Sequence, residues 1–208
     1  MLQTQSVNAP TLELLKQLMA FEALANFNLV GETALALQFG HRISVDLDLF
    51  TVKPFNHKDL EDNFNQKFGK ENIKINISKS HTILLKINDI KVDTLHYPYD
   101  LIDDISIIDN IRICSLKDIA AMKLSAISKR GAKKDFFDVY ELLQEQFSLR
   151  EMFGFYKQKF ENHELGFIAR SLLYFDDAEL DPDPIMIKNY NWDVVKKEIS
   201  KQVEKLIL

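Results

Sequence analysis

The fold is decided by the stretch LVGETALALQFGHRISVDLDLF, which covers residues 29–50. Within it, Asp46 and Asp48 alternate with apolar residues, which predicts a strand over residues 44–50. Residues two apart in a strand point to the same face, and their Cα atoms lie roughly 6.6 Å apart. Two carboxylates this close repel each other unless a cation lies between them, and hard divalent cations take oxygen ligands. Asp46 and Asp48 are therefore predicted to form half of a metal site.

A glycine turn precedes this strand. Gly31 follows the apolar pair Leu29 and Val30, and a run typical of a buried helix begins at Thr33. A strand, a glycine and then a helix can present backbone N–H groups to a phosphate. An ordinary strand-to-helix turn has the same pattern, so the residues alone leave both interpretations open.

The stretch resembles the nucleotidyltransferase fold of the DNA polymerase beta type, whose signature is a Gly-Gly or Gly-Ser turn followed by Asp-x-Asp. Within that superfamily it is most similar to the AbiEii/AbiGii toxin family, which pairs Gly-Gly-Thr-Ala-Leu with a His-Arg-x-Ser-x-Asp-x-Asp-Leu segment. The matching residues of this chain are Gly31, Thr33, Ala34, Leu35, His41, Arg42, Ser44, Asp46 and Asp48. Glu32 replaces the second glycine of the family, and a carboxylate beside a triphosphate would repel it.

The resemblance implies a third carboxylate on a later strand, next to the Asp-x-Asp strand. Asp93 lies in residues 90–96, which are predicted to form a hairpin with residues 81–87. It is the predicted partner of Asp46 and Asp48 in a catalytic, metal-binding set that would hold Mg²⁺ or Mn²⁺. Competing acids occur in the loop that follows, at Asp100, Asp103 and Asp104.

A second segment carries the resemblance further. The family has a Lys…Arg…Lys-Asp…Asp stretch after its sheet, which is matched here by Lys123, Arg130, Lys134, Asp135 and Asp138. The resemblance implies that these residues bind the nucleotide together with Gly31, Thr33, Arg42 and Ser44. The pattern predicts helices over residues 116–129 and 135–144, separated by a break at residues 131–134.

The composition is that of an ordinary globular protein. Of the 208 residues, 46% are hydrophobic and 27% charged, with a net charge of −5, so any nucleic-acid contact requires a local basic patch. The single Cys114 excludes an internal disulfide and suits a reducing compartment. The sequence has neither a signal peptide nor an apolar run of about 18 residues, so we expect a cytoplasmic protein with no membrane segment.

The predicted fold class is α/β, a nucleotidyltransferase-like mixed sheet flanked by helices. It would occupy residues 1–112, and a helical C-terminal domain would occupy residues 113–208. Outside the motifs, periodicity predicts helices over residues 10–27, 56–68, 147–160, 163–175 and 192–208. The acidic residues 176–184 are predicted to be a solvated linker, because Pro182 and Pro184 break the spacing of a calcium loop.

The resemblance implies metal-dependent transfer of a nucleotidyl group from a nucleoside triphosphate to a tRNA or protein acceptor. It further implies the toxin of a toxin–antitoxin or phage-defence system, with a cognate antitoxin that has a DNA-binding domain. Two alternatives remain open. One is a metal-dependent nuclease, since acids and a divalent cation also cleave phosphodiesters. The other is a catalytically inactive binding module of the same fold, which Glu32 favours.

Overall fold

A mixed β-sheet forms the centre of the protein in a computed structural model that describes residues 1–161 and 165–207. Within these residues the sheet has seven strands in the order β3-β4-β5-β2-β1-β7-β6. The strands are β1 Asn28–Val30, β2 Leu47–Thr51, β3 Ile73–Lys79, β4 Thr82–Ile87, β5 Ile90–His96, β6 Ser106–Ile108 and β7 Ile111–Ile113. The pairs β1–β7 and β2–β5 are parallel, and the other pairs are antiparallel. The predicted mixed α/β fold is confirmed.

The alternation along β2 decides which way its acids face. Leu47 and Leu49 are completely buried, whereas Asp48 and Phe50 are partly exposed. Because successive side chains of a strand point to opposite faces, the two leucines pack into the core. Asp48 is thereby directed away from that core.

Helices cover the sheet and form most of the C-terminal half. They are α1 Ala9–Met19, α2 Gly31–Phe39, α3 His57–Phe68, α4 Leu116–Arg130, α5 Lys133–Glu145, α6 Leu149–Lys159, α7 Leu165–Leu172, α8 Asp176–Glu179 and α9 Trp192–Ile207. The short helix α2 is buried along almost its whole length, because it lies between the sheet and the helices α4 and α5. No helix among the described residues combines the length and the apolar character that crossing a membrane requires.

Two predicted boundaries in the N-terminal half are wrong. The first helix ends at Met19 rather than at residue 27, because the following apolar residues are buried by a 3₁₀ turn, Glu22–Leu24. The acid strand begins at Leu47 rather than at residue 44. Ser44 instead forms an isolated bridge with Val7, so Asp46 lies in the connection just before β2.

The C-terminal half differs from the prediction in two further places. The helix break is shorter, because Lys133 and Lys134 already belong to α5. The acidic segment is more than a linker: it begins with α8, and Asp181 accepts a hydrogen bond from the backbone N–H of Lys133 at 2.9 Å. Of the predicted helix 163–175, residues 163 and 164 lie outside the described residues, as does residue 208 of the last helix.

The sheet and the later helices meet where a domain boundary was predicted. Strand β7 ends at Ile113 and α4 begins at Leu116, with Ser115 as its N-terminal cap. The division into domains 1–112 and 113–208 stays a prediction.

Candidate active site

A cleft with a volume of about 300 Å³ opens between the sheet and helices α4 and α5. Its sheet side carries the three predicted acids, and its helical side carries four cationic residues. The acids are Asp46, Asp48 and Asp93, and the cations are Lys123, Lys129, Arg130 and Lys134. Residues far apart in sequence are therefore brought into one cleft with an acidic side and a basic side.

The parallel pairing of β2 and β5 places two of the acids side by side. Asp48 and Asp93 are direct partners in this pairing, so their Cα atoms are about 4.8 Å apart. Asp46, in the connection before β2, lines the same cleft. The predicted third acid is thus on the strand next to Asp48.

The acidic side carries more negative charge than its surroundings neutralise. Burial and, to a smaller extent, the neighbouring Asp93 carboxylate together raise the pKa of the Asp48 carboxyl to about 6, against the opposing effect of Lys91. The Oδ1 atom of Asp93 is buried and has no hydrogen-bond partner within the described structure. Both observations indicate a place where further positive charge would be stabilising.

Lys91 supplies the cation that contacts these acids in the structure. Its Nζ lies 3.0 Å from Asp93 Oδ2 and 3.7 Å from Asp46 Oδ2. With the ammonium in this position, no three or more His, Cys, Asp or Glu side chains among residues 1–161 and 165–207 are arranged to hold a metal ion. The acids would have to approach a common cation to become a ligand set.

Gly31 is required where β1 passes into α2. Its φ is +69°, and a Cβ atom added to it would lie 2.7 Å from Asp48 Oδ2. Helix α2 begins here without a side-chain cap, so the N–H groups of its first turn have no side-chain acceptor at the cap position. The glycine therefore allows the acid strand to approach a helix N-terminus closely.

Glu32 is neutralised inside the protein. Its carboxylate lies 2.6 Å from Lys134 Nζ and 3.3 Å from Arg42 Nη2, and it accepts a hydrogen bond from the Ser44 hydroxyl at 3.0 Å. Burial alone would raise the pKa of Glu32, but Arg42, Lys134 and Lys123 outweigh it and lower the pKa below its usual value. The expected repulsion of a triphosphate by Glu32 is therefore countered by these ion pairs.

Asp138 is the centre of a buried ion-pair network, which we define as Glu32, His41, Arg42, Lys123, Arg130, Lys134, Asp135 and Asp138. Asp138 accepts hydrogen bonds from Arg42 Nε and Nη2 at 2.7 and 2.8 Å, and its carboxylate lies 2.8 Å from His41 Nε2 and 2.5 Å from Lys123 Nζ. Burial alone would raise its pKa, but the charges of Arg42 and Lys123 and the hydrogen bonds from His41 and Arg42 hold it well below its usual value.

Asp135 extends this network towards the cleft. One turn before Asp138 on α5, it bonds Lys123 Nζ at 2.9 Å and Arg130 Nε at 2.7 Å. The Arg130 side chain is 55% exposed, whereas that of Asp135 is fully buried. The buried Asp135 carboxylate thus fixes the orientation of the Arg130 guanidinium, which stays exposed at the surface of the cleft.

The predicted nucleotide-binding residues fall into two groups. Gly31, Lys123, Arg130 and Lys134 line the cleft. The other five are at most 2% exposed and do not line it; they are Thr33, Arg42, Ser44, Asp135 and Asp138. The structure therefore places the second group behind the cleft wall, where these side chains would act on a nucleotide through the residues that they hold in place, and the nucleotide-binding role of both groups stays a prediction.

Most of the chain matches a family model. Residues 13–205 match the family model described as "Nucleotidyl transferase AbiEii toxin, Type IV TA system". The chain belongs to the AbiEii family. A relative from Aquifex aeolicus (strain VF5), named "Uncharacterized protein aq_aa25", is 31% identical over an alignment of 202 residues, which covers 94% of this chain and 95% of the relative.

Solved structures share the fold of this AbiEii-family protein at low sequence identity. JHP933 from Helicobacter pylori is 20% identical with a TM-score of 0.59, and the similarity covers 97% of this chain and 93% of JHP933. The nucleotidyltransferase toxin MenT4 from Mycobacterium tuberculosis H37Rv is 12% identical with a TM-score of 0.58, covering 95% of this chain and 86% of MenT4.

Several cleft residues of the AbiEii-family protein were missed by the sequence analysis. Met122, Ala126 and Lys129 line the cleft from α4 at helical spacing, which could have indicated a shared face. Phe50 and Lys91 each lie two residues from a predicted acid, and strand alternation places them on the same face as that acid.

The stability of the metal-free protein is expected to be highest at about pH 5. The pKa of Asp48 is raised to about 6, so protonation of Asp48 favours the folded state. This contribution is complete below its unfolded pKa of about 3.9 and is lost as the pH rises through about 6. The pKa values of Glu32, Asp135 and Asp138 are lowered, so their contributions are present above their unfolded values and are lost as the pH falls through the folded ones.

Urea unfolding in EDTA between pH 3 and pH 8 measures this profile. Asp48→Asn should remove the rise between pH 7 and pH 5, which we expect to be about 1 kcal/mol. It should leave the loss of stability at acidic pH unchanged. A wild-type profile that falls steadily from pH 7 downwards would contradict the prediction.

Proposed function

We propose that this protein transfers a nucleotidyl group from a nucleoside triphosphate to an acceptor with the help of Mg²⁺ or Mn²⁺. The observation that carries the proposal is the cleft itself, with three acids on its sheet side and a basic helical side. A triphosphate with its cations fits between two such sides, because the acids attract the metal and the basic residues attract the phosphates. Family membership supports the same reaction class.

Asp46, Asp48 and Asp93 are the residues that would hold the cation. Their oxygen donors suit Mg²⁺ or Mn²⁺, and the unpartnered Asp93 Oδ1 together with the raised pKa of Asp48 fits the additional positive charge. When bound, such a cation lowers the pKa of an attacking hydroxyl and stabilises charge on the transferred phosphate.

The basic side would bind the triphosphate. Arg130 and Lys134 are partly exposed in the cleft, at 55% and 37% of their side chains. Their carboxylate partners lie behind them, so each cation is oriented while part of it remains open to a phosphate. The uncapped N-terminus of α2 adds backbone N–H groups of the kind that bind phosphates.

A second cleft, of about 400 Å³, favours RNA over protein as the acceptor. It shares Lys129 and Arg130 with the first cleft and adds Arg170. Phe167 and Tyr174, which also line it, are 50% and 51% exposed. Exposed aromatic rings beside cations suit the stacked bases and phosphates of a single strand. The chain thus offers a local basic and aromatic surface despite its net negative charge.

A transfer assay tests the proposed reaction. The protein is incubated with Mg²⁺, tRNA and each of the four nucleoside triphosphates labelled at the α-phosphate. We expect label on the RNA that depends on the cation. Asp48→Asn should lose most of this label. Its matched control is Asp89→Asn, because Asp89 is exposed in the β4–β5 turn and an asparagine tolerates its φ of 65°.

The products separate the remaining alternatives. Shortened RNA without label would indicate the nuclease. Label on a protein substrate and none on RNA would show that the acceptor is a protein rather than RNA. If the protein neither bound a nucleotide nor transferred label, the inactive binding module would be the remaining alternative. The ion pairs that neutralise Glu32 remove the main reason to favour that alternative.

The family description supports a toxin with a cognate antitoxin. We expect the expressed protein to arrest growth, in keeping with a toxin–antitoxin or phage-defence role. Growth should be restored by a neighbouring gene that encodes a protein with a DNA-binding domain. If expression of an active enzyme left growth unaffected, the toxin role would be contradicted, whereas the proposed transfer reaction would still stand.

A further inference from the structure

We infer that Lys91 is a displaceable counter-ion, which occupies the cation position beside Asp46 and Asp93 and thereby weakens binding of the divalent cation. This inference rests on the proposed function, since it concerns the same acids. It assigns to Lys91 a role in setting metal affinity.

Strand geometry brings the Lys91 ammonium to the acids. Lys91 and Asp93 are two residues apart in β5 and therefore lie on the same face of the sheet. The Nζ atom contacts carboxylate oxygens from two separate segments, at 3.0 Å from Asp93 and 3.7 Å from Asp46. A divalent cation bound by the same oxygens would lie about 2.0–2.6 Å from them. The two cations would therefore compete for one place.

One ammonium does not satisfy these acids. Lys91 brings a single positive charge to three carboxylates, and Asp93 Oδ1 stays buried without a partner within the described structure. A divalent cation brings twice the charge and takes several oxygen ligands at once. The acids therefore gain by exchanging the ammonium for the metal.

Lys91 can leave its two acids, whereas Lys123, which lines the same cleft and also pairs with two acids, cannot. The Lys91 side chain is 44% exposed, and ion pairs at this exposure are weak. The Lys123 side chain is only 5% exposed and pairs with Asp135 and Asp138, both fully buried, so its removal would leave buried carboxylates unpaired. Lys123 is thus fixed and Lys91 is displaceable, although both line the same cleft.

Mn²⁺ binding, measured by calorimetry without nucleotide, tests the inference. Lys91→Met keeps the apolar stem and removes the charge, so we expect Mn²⁺ to bind about tenfold more tightly than to the wild type. Lys86→Met is the matched control. Lys86 is exposed, lies directly opposite Lys91 in the β4–β5 pairing, and forms none of the ion pairs found in the described residues. Its substitution changes the net charge equally, and we expect the affinity to change less than twofold.

Each outcome decides between the two proposals. Equal or weaker Mn²⁺ binding by Lys91→Met than by the wild type would overturn the displaceable counter-ion and leave the proposed metal site standing. Equal gains in Lys91→Met and Lys86→Met would also overturn it, because general electrostatics would explain both. No Mn²⁺ binding by any of the three proteins would overturn this inference and the metal site together. Lys91→Gln is expected to behave as Lys91→Met does, which guards against a folding defect in one variant.

Discussion

Asp48→Asn is expected to lower the rate of nucleotidyl transfer by about a thousandfold while making the metal-free protein more stable. The rate falls because Asp48 lies in the middle of the proposed cation site, next to Asp93 in the strand pairing. Loss of one group that stabilises developing charge in an active site typically has an effect of about 10²–10³. The assay is transfer of label from the preferred nucleoside triphosphate at saturating Mg²⁺.

The stability gain has a separate cause. Burial raises the pKa of Asp48 to about 6, which means that its charge is unfavourable in the folded protein at pH 7. A neutral amide avoids that charge, so we expect the free energy of unfolding in EDTA to rise by about 1–3 kcal/mol. Residues that serve function often reduce stability in this way.

The control for this prediction is Asp89→Asn, which makes the same chemical change on an exposed turn and should alter neither quantity. An Asp48→Asn protein that is less stable than the wild type would point to a structural role for the carboxylate. Transfer activity within about tenfold of the wild type would remove Asp48 from the proposed catalytic set.

Asp138→Asn is expected to lower the free energy of unfolding by about 3–5 kcal/mol. Asp138 is fully buried, and its carboxylate contacts His41, Arg42 and Lys123. Substitution by a neutral amide leaves buried cations without their counter-charge. Such a loss lowers the free energy of unfolding far more than the loss of an exposed ion pair does. Urea unfolding monitored by circular dichroism at pH 7 measures the change.

Asp183→Asn is the matched control for Asp138→Asn. Like Asp138, Asp183 pairs with a lysine, in this case Lys133 at 3.0 Å, but the Asp183 side chain is 75% exposed. We therefore expect the control to cost less than about 1 kcal/mol. If the two substitutions had similar effects, the buried ion-pair network would not be a main source of stability.

The resemblance carried by residues 29–50 implied the mixed sheet, which is confirmed, and the alternation within this stretch assigned Asp48 to a strand. Alternation of polar and apolar residues is a property of the strand itself, so Asp48 and Asp93 could be assigned to strands before their pairing was known. The motif after the sheet likewise predicted that Asp135 and Asp138 share one face of a helix, because helical spacing is local. The metal and the nucleotide were inferred from chemistry and resemblance, and they stay predictions.

Tertiary structure alone decided which charged residues face the cleft and which lie behind it. Arg42 and Asp138 are 96 residues apart, and no local pattern indicates that they form a buried pair. The same holds for Glu32, whose charge is paired with that of the distant Lys134. It also holds for Lys91, whose contact with Asp46 depends on the pairing of β2 with β5. Electrostatic energies depend on distance and burial in the folded chain. A sequence therefore determines which charges are present, and only the packed structure determines which of them neutralise one another.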